Sequence, residues 1–283
     1  MSGKSKSRIN INWHEAATCA FQIELHDYSD SLEYLTEYVL GKNSYRIDLL
    51  IIKKLTVINI PKNIAQIFRT FNLLEIKGIG SSVSIDSYYK TIGYAGLFID
   101  QTGRRNQYSG LDISLTLLSS HYPRKLIKHL LRERKLRVAK PFPGVYYINK
   151  ETFTTQIIVT KELSSKDNLY LRCLTNHLED SRLANRLAKD YELHQEDELY
   201  TRYMQQITTA NLKRKGDDSP MVCEGILNLC GTSSAEIIER TRKEDAEYYQ
   251  PKLNQQASQI DYLKSLLKKN NIPFQLDADS DNG

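Results

Sequence analysis

No apolar run in this chain approaches the length that crosses a bilayer. The first residues, Met1-Ser-Gly-Lys-Ser-Lys-Ser-Arg8, carry basic and polar groups but none of the apolar stretch that a secretory signal requires. The expectation is a cytoplasmic protein with no membrane partner, opening on a flexible basic arm over residues 1–10. Cysteine is scarce. Cys19, Cys173, Cys223 and Cys230 include no C-x-x-C pair, which leaves reduced, buried thiols as the expectation. The six histidines never fall at H-x-x-x-H spacing, so a zinc site has no support. The chain also lacks G-x-x-x-x-G-K-[ST] and G-x-S-x-G, and Gly78-Ile-Gly80 has no third glycine. Those gaps speak against a P-loop nucleotidase, an α/β-hydrolase and a dinucleotide-binding fold. No internal repeat and no long low-complexity segment is present.

What remains is an ordinary globular composition. Of 283 residues, 40% are hydrophobic and 26% charged, enough for one large domain or a domain with an extension. The net charge is +5 with a pI near 8.8, below the level of dedicated nucleic-acid binders. Its distribution is more telling. From His121 to Lys140 the chain reads HYPRKLIKHLLRERKLRVAK, where Glu133 is the one acid among eight Lys and Arg residues. Asp277 to Asp281 forms an acidic end.

Trp13 to His26 reads as a helix with Trp13, Ala17, Ala20 and Glu24 on one stripe. Leu32–Leu40 and Tyr45–Ile52 flank Gly41-Lys-Asn-Ser44, a hairpin signal, and Leu55–Ile60 is expected to continue the sheet edge. Phe71–Lys77 is a strand. Ser84 or Asp86 caps a helix reaching about Ile99. Leu111–Ser119 is a strand, Pro123–Arg134 a basic amphipathic helix with proline in its first turn. Val145–Ile148 and Gln156–Thr160 are further strands. Beyond residue 163 only helical stretches are expected, roughly 166–178, 180–213, 219–230, 233–248 and 252–269. The last places Leu253, Ile260 and Leu267 at a positions and Gln256 and Leu263 at d, a short possible coiled coil. The expected class is α/β: a core over residues 11–163 and an all-α extension over 164–283.

Two strands carry polar groups where a core favours none. Asp48 precedes four consecutive apolar residues, and Glu75 and Lys77 end an apolar run. Side chains alternate along a strand, so Glu75 and Lys77 share a face. Two carboxylates and an amine converging from neighbouring strands can hold a hard divalent cation and a water beside a phosphate. The same residues are compatible with a buried Asp48–Lys77 salt bridge of structural role. An E-x-K triplet alone carries little, since Glu133-Arg-Lys135 repeats it on an expected helix surface.

The order Trp13-His-Glu-Ala16, Tyr45-Arg-Ile-Asp48 through Lys53, Asn72-Leu-Leu-Glu-Ile-Lys77, Ser84 through Tyr94, Pro143-Gly-Val-Tyr-Tyr-Ile148 and Gln156 through Leu163 resembles the PD-(D/E)xK nuclease superfamily. More narrowly, it resembles the bacterial PD-(D/E)xK nuclease family transposases related to recombination-promoting nucleases. The resemblance covers about residues 11–165, with Ile47 in place of the proline of the superfamily's name. It implies a mixed-sheet restriction-endonuclease-like core flanked by helices. It also implies a metal-dependent DNA endonuclease connected with a mobile element, recombination or defence. Asp48, Glu75 and the main-chain carbonyl of Ile76 would then hold Mg²⁺ or Mn²⁺, Lys77 would stabilise developing charge, and Glu24 would complete the site. Glu15 is the alternative helix acid; Glu24 is favoured by its place on the Ala17/Ala20 stripe. Lys90 and Tyr94 would lie near the phosphate, although an exposed lysine covering a tyrosine fits equally. Arg124, Lys125, Lys128 and Arg132 would contact DNA phosphates, with RNA offering the same diester. The basic helix reads equally well as ordinary solvated surface. The helical end would pair two copies. The alternatives are a nucleic-acid-binding or protein-interaction module of the same fold with weak or lost chemistry, and a purely structural protein.

Overall fold

The computed structural model describes residues 12–41, 45–54, 58–78, 80–102, 107–176, 178 and 181–211, with 243, 250, 251, 254, 255 and 257–261. Residues 11–234 form one unit; residues 1–10 with 235–283 form another. In the latter every described residue is helical and exposed, Ile260 included. The basic arm, the other four coiled-coil positions and the helix expected over 219–230 lie outside the described residues, as does all but Lys243 of the helix expected over 233–248. Among the described residues no helix is long and apolar enough to cross a membrane.

The main unit is an α/β structure around a seven-stranded mixed sheet. Helix α1 (Trp13–Glu24) comes first, then β1 (Leu32–Leu40), β2 (Tyr45–Lys53) and β3 (Phe71–Ile76). Helix α2 (Ile85–Thr102) leads to β4 (Ile113–Ser119), and α3 (Arg124–Arg132) to β5 (Arg137–Phe142), β6 (Val145–Asn149) and β7 (Thr154–Val159). Helices α4 (Leu169–Arg172), α5 (Ser181–Glu192) and α6 (Glu198–Asn211) follow. The sheet order is β1-β2-β3-β4-β7-β6-β5. β3, β4 and β7 run parallel at its centre, and every other pairing is antiparallel.

Strand alternation divides the core into two faces. Leu49, Ile51, Leu74, Ile76, Leu118 and Ile158 point toward α1 and the later helices. Leu50, Leu73, Leu115, Leu117 and Ile157 point toward α2 and α3. Helices thus cover both faces, so β3 is buried at all six residues and reads as a continuous apolar run interrupted by Asn72 and Glu75. Asn72 is satisfied: its amide nitrogen donates to the carbonyls of Ile51 and Arg69, and its oxygen accepts from Ser114. Packing continues across residue 163, since Tyr170, Leu187, Tyr203 and Ile207 share the α1 core.

Several expected elements differ. Residues 58–60 form no strand, and 55–57 are outside the described residues; Ile60, Ile64, Ala65 and Phe68 instead plug the core from a turn segment. β5 escaped the sequence reading because it is mostly exposed, contains Pro141 and shifts register between Ala139 and Phe142. The helix expected over 180–213 breaks into α5 and α6, because Asp197 Oδ1 accepts the Leu199 amide hydrogen and restarts the helix. The stretch 166–178 holds only the four residues of α4. Ser84, not Asp86, caps α2, accepting from the Ser87 amide at 3.0 Å.

Candidate functional site

The paired rungs of β2 and β3 end at Leu49 opposite Leu74. One residue further, Asp48 and Glu75 face each other on the side covered by α2, the side of Leu50 and Leu73. The strands part here. The Ile76 amide that would continue the ladder donates instead to Asp48 Oδ2 at 2.7 Å. Glu75 Oε1 receives two ammonium groups, Lys77 Nζ at 2.7 Å and Lys90 Nζ at 2.6 Å. The Glu75 side chain is 3% exposed and that of Asp48 13%. A nearly dry carboxylate is tolerated because charge of opposite sign meets it.

Burial holds the Asp48 carboxyl above its ordinary pKa, and the charge of Glu75 adds to this; the Ile76 N–H, His14 and Lys90 pull the other way. For Lys90, burial favours the neutral amine, but the hydrogen bond and charge of Glu75, then Asp48, outweigh it and raise its pKa. Lys90 Nζ also lies 5.4 Å from the Tyr94 ring centre, so this lysine both covers the tyrosine and reaches the carboxylate. Tyr94 in turn packs on Tyr45 at 5.9 Å between ring centres.

Glu24 is not part of this cluster, contrary to the sequence expectation. Its carboxylate pairs with Lys62 at 2.8 Å and accepts from the Tyr170 and Leu171 amides at 2.8 and 3.4 Å. Burial raises its pKa, with Lys62 opposing. Glu15 accepts from Gln206 Nε2 at 3.3 Å. The residue of α1 that approaches the strand tips is His14, with Nε2 at 3.9 Å from Asp48 Oδ2. Glu24 lies ten positions later, about 15 Å along the axis at the α-helical rise. The small-residue stripe had the right face of the helix but the wrong end.

His14 Nδ1 also lies 3.6 Å from Glu37 Oε1, and Glu37 Oε2 lies 3.1 Å from Arg46 Nη1. Glu37 stands opposite Asp48 in the β1–β2 register, between the pairs Thr36↔Leu49 and Tyr38↔Ile47. Its φ of 51° is left-handed within a strand, a strained state for a side chain of this size. Glu37, Asp48 and Glu75 therefore form one row across three strands. Nothing in the run LEYLTEYVL marks Glu37, and a single histidine at a helix start marks nothing either. Among the described residues no three His, Cys, Asp or Glu side chains converge as a metal cage would need. The convergent donor set is two carboxylates.

On α3, Leu126, Ile127 and Leu130 pack inward and Arg124, Lys125, Lys128 and Arg132 are exposed. None of these four cations has a carboxylate partner among the described residues. His129 is turned inward, with Nε2 at 2.8 Å from Tyr89 Oη and Nδ1 at 2.8 Å from Glu133 Oε2. Glu133 and Lys135 of the second E-x-K are exposed. The chain matches no family model, no curated protein and no solved structure.

Proposed function

We propose that this chain is a metal-dependent DNA endonuclease on a restriction-endonuclease-like core of the PD-(D/E)xK kind. The observation that carries the reading is the meeting of Asp48 and Glu75 where β2 and β3 part, with Lys77 and Lys90 on Glu75. Support for the core comes from the order of its parts: a helix, an antiparallel three-strand meander, a crossover helix and a parallel strand.

The donor set fits Mg²⁺ or Mn²⁺, since a small hard cation is held by one or two carboxylates and completes its shell with waters and phosphate oxygens. Asp48, Glu75 and the carbonyl of Ile76 would hold it. When bound, such an ion lowers the pKa of a water and neutralises charge on the phosphate. The residues of the chain do the rest. The Ile76 amide fixes the Asp48 carboxylate in one orientation. Lys77 and Lys90 bring two positive charges to the place where a phosphate oxygen gains charge in the transition state. His14, between Asp48 and Glu37, takes the position in the site expected for Glu24 and can accept or return a proton. The exposed cations of α3 hold the backbone of DNA, or of RNA, away from the scissile bond. Pairing of two copies through the helical end, a cytoplasmic location and a role in a mobile element, recombination or defence belong to the same reading.

One observation favours a second reading. Two ammonium groups already compensate Glu75, as they would in a structural ion cluster. That fits a nucleic-acid-binding module without chemistry. Purified protein incubated with plasmid DNA and Mg²⁺ or Mn²⁺, beside Asp48→Ala and Lys77→Ala variants and an EDTA control, separates the two. The nuclease reading expects metal-dependent nicking that both substitutions abolish while DNA affinity survives. Binding without nicking, or nicking that persists in both variants, overturns it.

A further inference from the structure

The C-terminal ends of β3, β4 and β7 lie along one edge of the sheet, with Ile76, Leu118 and Ile158 in register. Just past those ends stand Lys77 after β3, Ser120 and His121 after β4, and Thr160 and Lys161 after β7. Lys77, Ser120 and Thr160 line one cleft beside Trp13.

The side chains after β4 and β7 form a chain with one consistent set of hydrogens. Ser120 Oγ donates to the Ser81 carbonyl at 3.0 Å, a partner that only accepts. With its proton committed, the same oxygen accepts from His121 Nδ1 at 2.9 Å. The proton of the neutral ring is therefore on Nδ1. His121 Nε2 keeps its lone pair and accepts from Lys161 Nζ at 3.0 Å. Ser119 Oγ donates to the His121 carbonyl at 2.6 Å and fixes the same turn.

Lys161 differs from the lysines around it. Lys77 and Lys90 share Glu75, Lys62 has Glu24 and Lys140 has Glu162. Lys161 has no carboxylate partner among the described residues; its ammonium is met by an imidazole alone. His121 and Lys161 are both exposed. The neighbouring Thr160 hydroxyl, in a residue 3% exposed, has no hydrogen-bond partner among the described residues. Two strand spacings separate β7 from β3, about 10 Å. Lys77 Nζ is held on Glu75 and Lys161 Nζ on His121, an arrangement suited to successive phosphates of one nucleic-acid strand.

We propose that His121 and Lys161 form a second phosphodiester subsite, which takes the non-bridging oxygens of a backbone phosphate beside the scissile one. The position of the scissile phosphate rests on the nuclease reading; the anion site itself does not. The subsite joins the strand tips to α3, whose first residue, Arg124, follows His121 by three positions. The backbone is thereby tracked from Lys77 past Lys161 to Arg124 and Lys125.

The test uses the full chain and a fluorescent DNA duplex in EDTA, with affinity measured over a series of salt concentrations. Lys161→Ala and His121→Gln are compared with Lys189→Ala, an exposed charge of α5. Lys161→Ala is expected to lose about tenfold in affinity and about 0.9 from the slope of log K against log salt. His121→Gln is expected to lose less, and Lys189→Ala nothing. A neutral methylphosphonate at the neighbouring phosphate should weaken the wild type and leave Lys161→Ala unaffected. Wild-type affinity and slope in Lys161→Ala, or an equal loss in Lys189→Ala, overturns the subsite. Loss in Lys161→Ala without metal-dependent cutting by the wild type keeps the subsite and removes the nuclease reading. Cutting by the wild type with unchanged binding in Lys161→Ala does the reverse.

Discussion

Replacing Asp48 by asparagine should make the protein more stable while removing the proposed nuclease activity. The substitution keeps an oxygen for the Ile76 amide now held at 2.7 Å and removes only the charge. That charge is unfavourable in the fold, since burial and Glu75 outweigh the Ile76 N–H, His14 and Lys90 and raise the pKa. The folded state then binds the Asp48 proton more tightly than the unfolded chain does. Stability is lost as pH rises through the ordinary aspartate range and above, and asparagine avoids that loss. The lost charge partners cost little, since the His14 side chain is 41% and the Lys90 side chain 38% exposed, and Lys90 keeps Glu75. A like-charge pair directly across two strands is worth up to about 1 kcal/mol, which corresponds to a rise of about 2–4 °C in Tm for a unit of this size. Thermal melts at neutral pH should show this gain, and the gap should narrow on acidification into the ordinary aspartate range, because the folded carboxyl regains its proton before the unfolded one does. A lower Tm for Asp48→Asn at neutral pH would refute the reasoning and mark Asp48 as a net stabilising ion partner. A gain in stability with loss of cutting is the trade expected of a group retained for chemistry.

Glu24→Ala should cost about 3–5 kcal/mol, because it strands Lys62 and two amides around a buried site; urea midpoints measure this, and a folded Glu24→Gln variant should cut DNA at the wild-type rate. Gly144→Ala should destabilise by more than about 1 kcal/mol. At φ 74° the added Cβ would sit 2.7 Å from the Leu163 nitrogen and 2.8 Å from the Val159 carbonyl oxygen; an unchanged melt would contradict that packing. Alanine at Arg124, Lys125, Lys128 and Arg132 together should weaken DNA binding similarly on all sequences and flatten its salt dependence by up to about 3.6, at 0.9 per phosphate. A salt slope equal to that of the wild type would remove α3 from the footprint.

The central strands were legible because burial on both faces imposes long apolar runs, and Asp48 and Glu75 stood out as interruptions of them. The basic face of α3 was legible for the opposite reason, eight cations against one acid over a short span. β5 was not, since an exposed edge strand needs no apolar alternation and Arg137-Val-Ala-Lys-Pro141 shows none. Glu24 misled because helical periodicity reports which face is buried but not which end of the helix meets the strand tips. His14 became visible only once α1 was laid on the sheet. Glu37 depends on a single left-handed residue inside a strand, and no local residue preference announces that.

The same left-handed turn at Glu37 has a bearing on how two copies could meet. β1 and β5 are the two margins of the sheet. An unbroken margin offers a row of free amides and carbonyls onto which a strand of another molecule can zip. Here one margin is interrupted at Glu37 and the other by the register shift and Pro141, which has no amide hydrogen to give. Growth of the sheet from molecule to molecule is opposed at both sides. Many chains can therefore crowd side by side without their sheets fusing into a fibre.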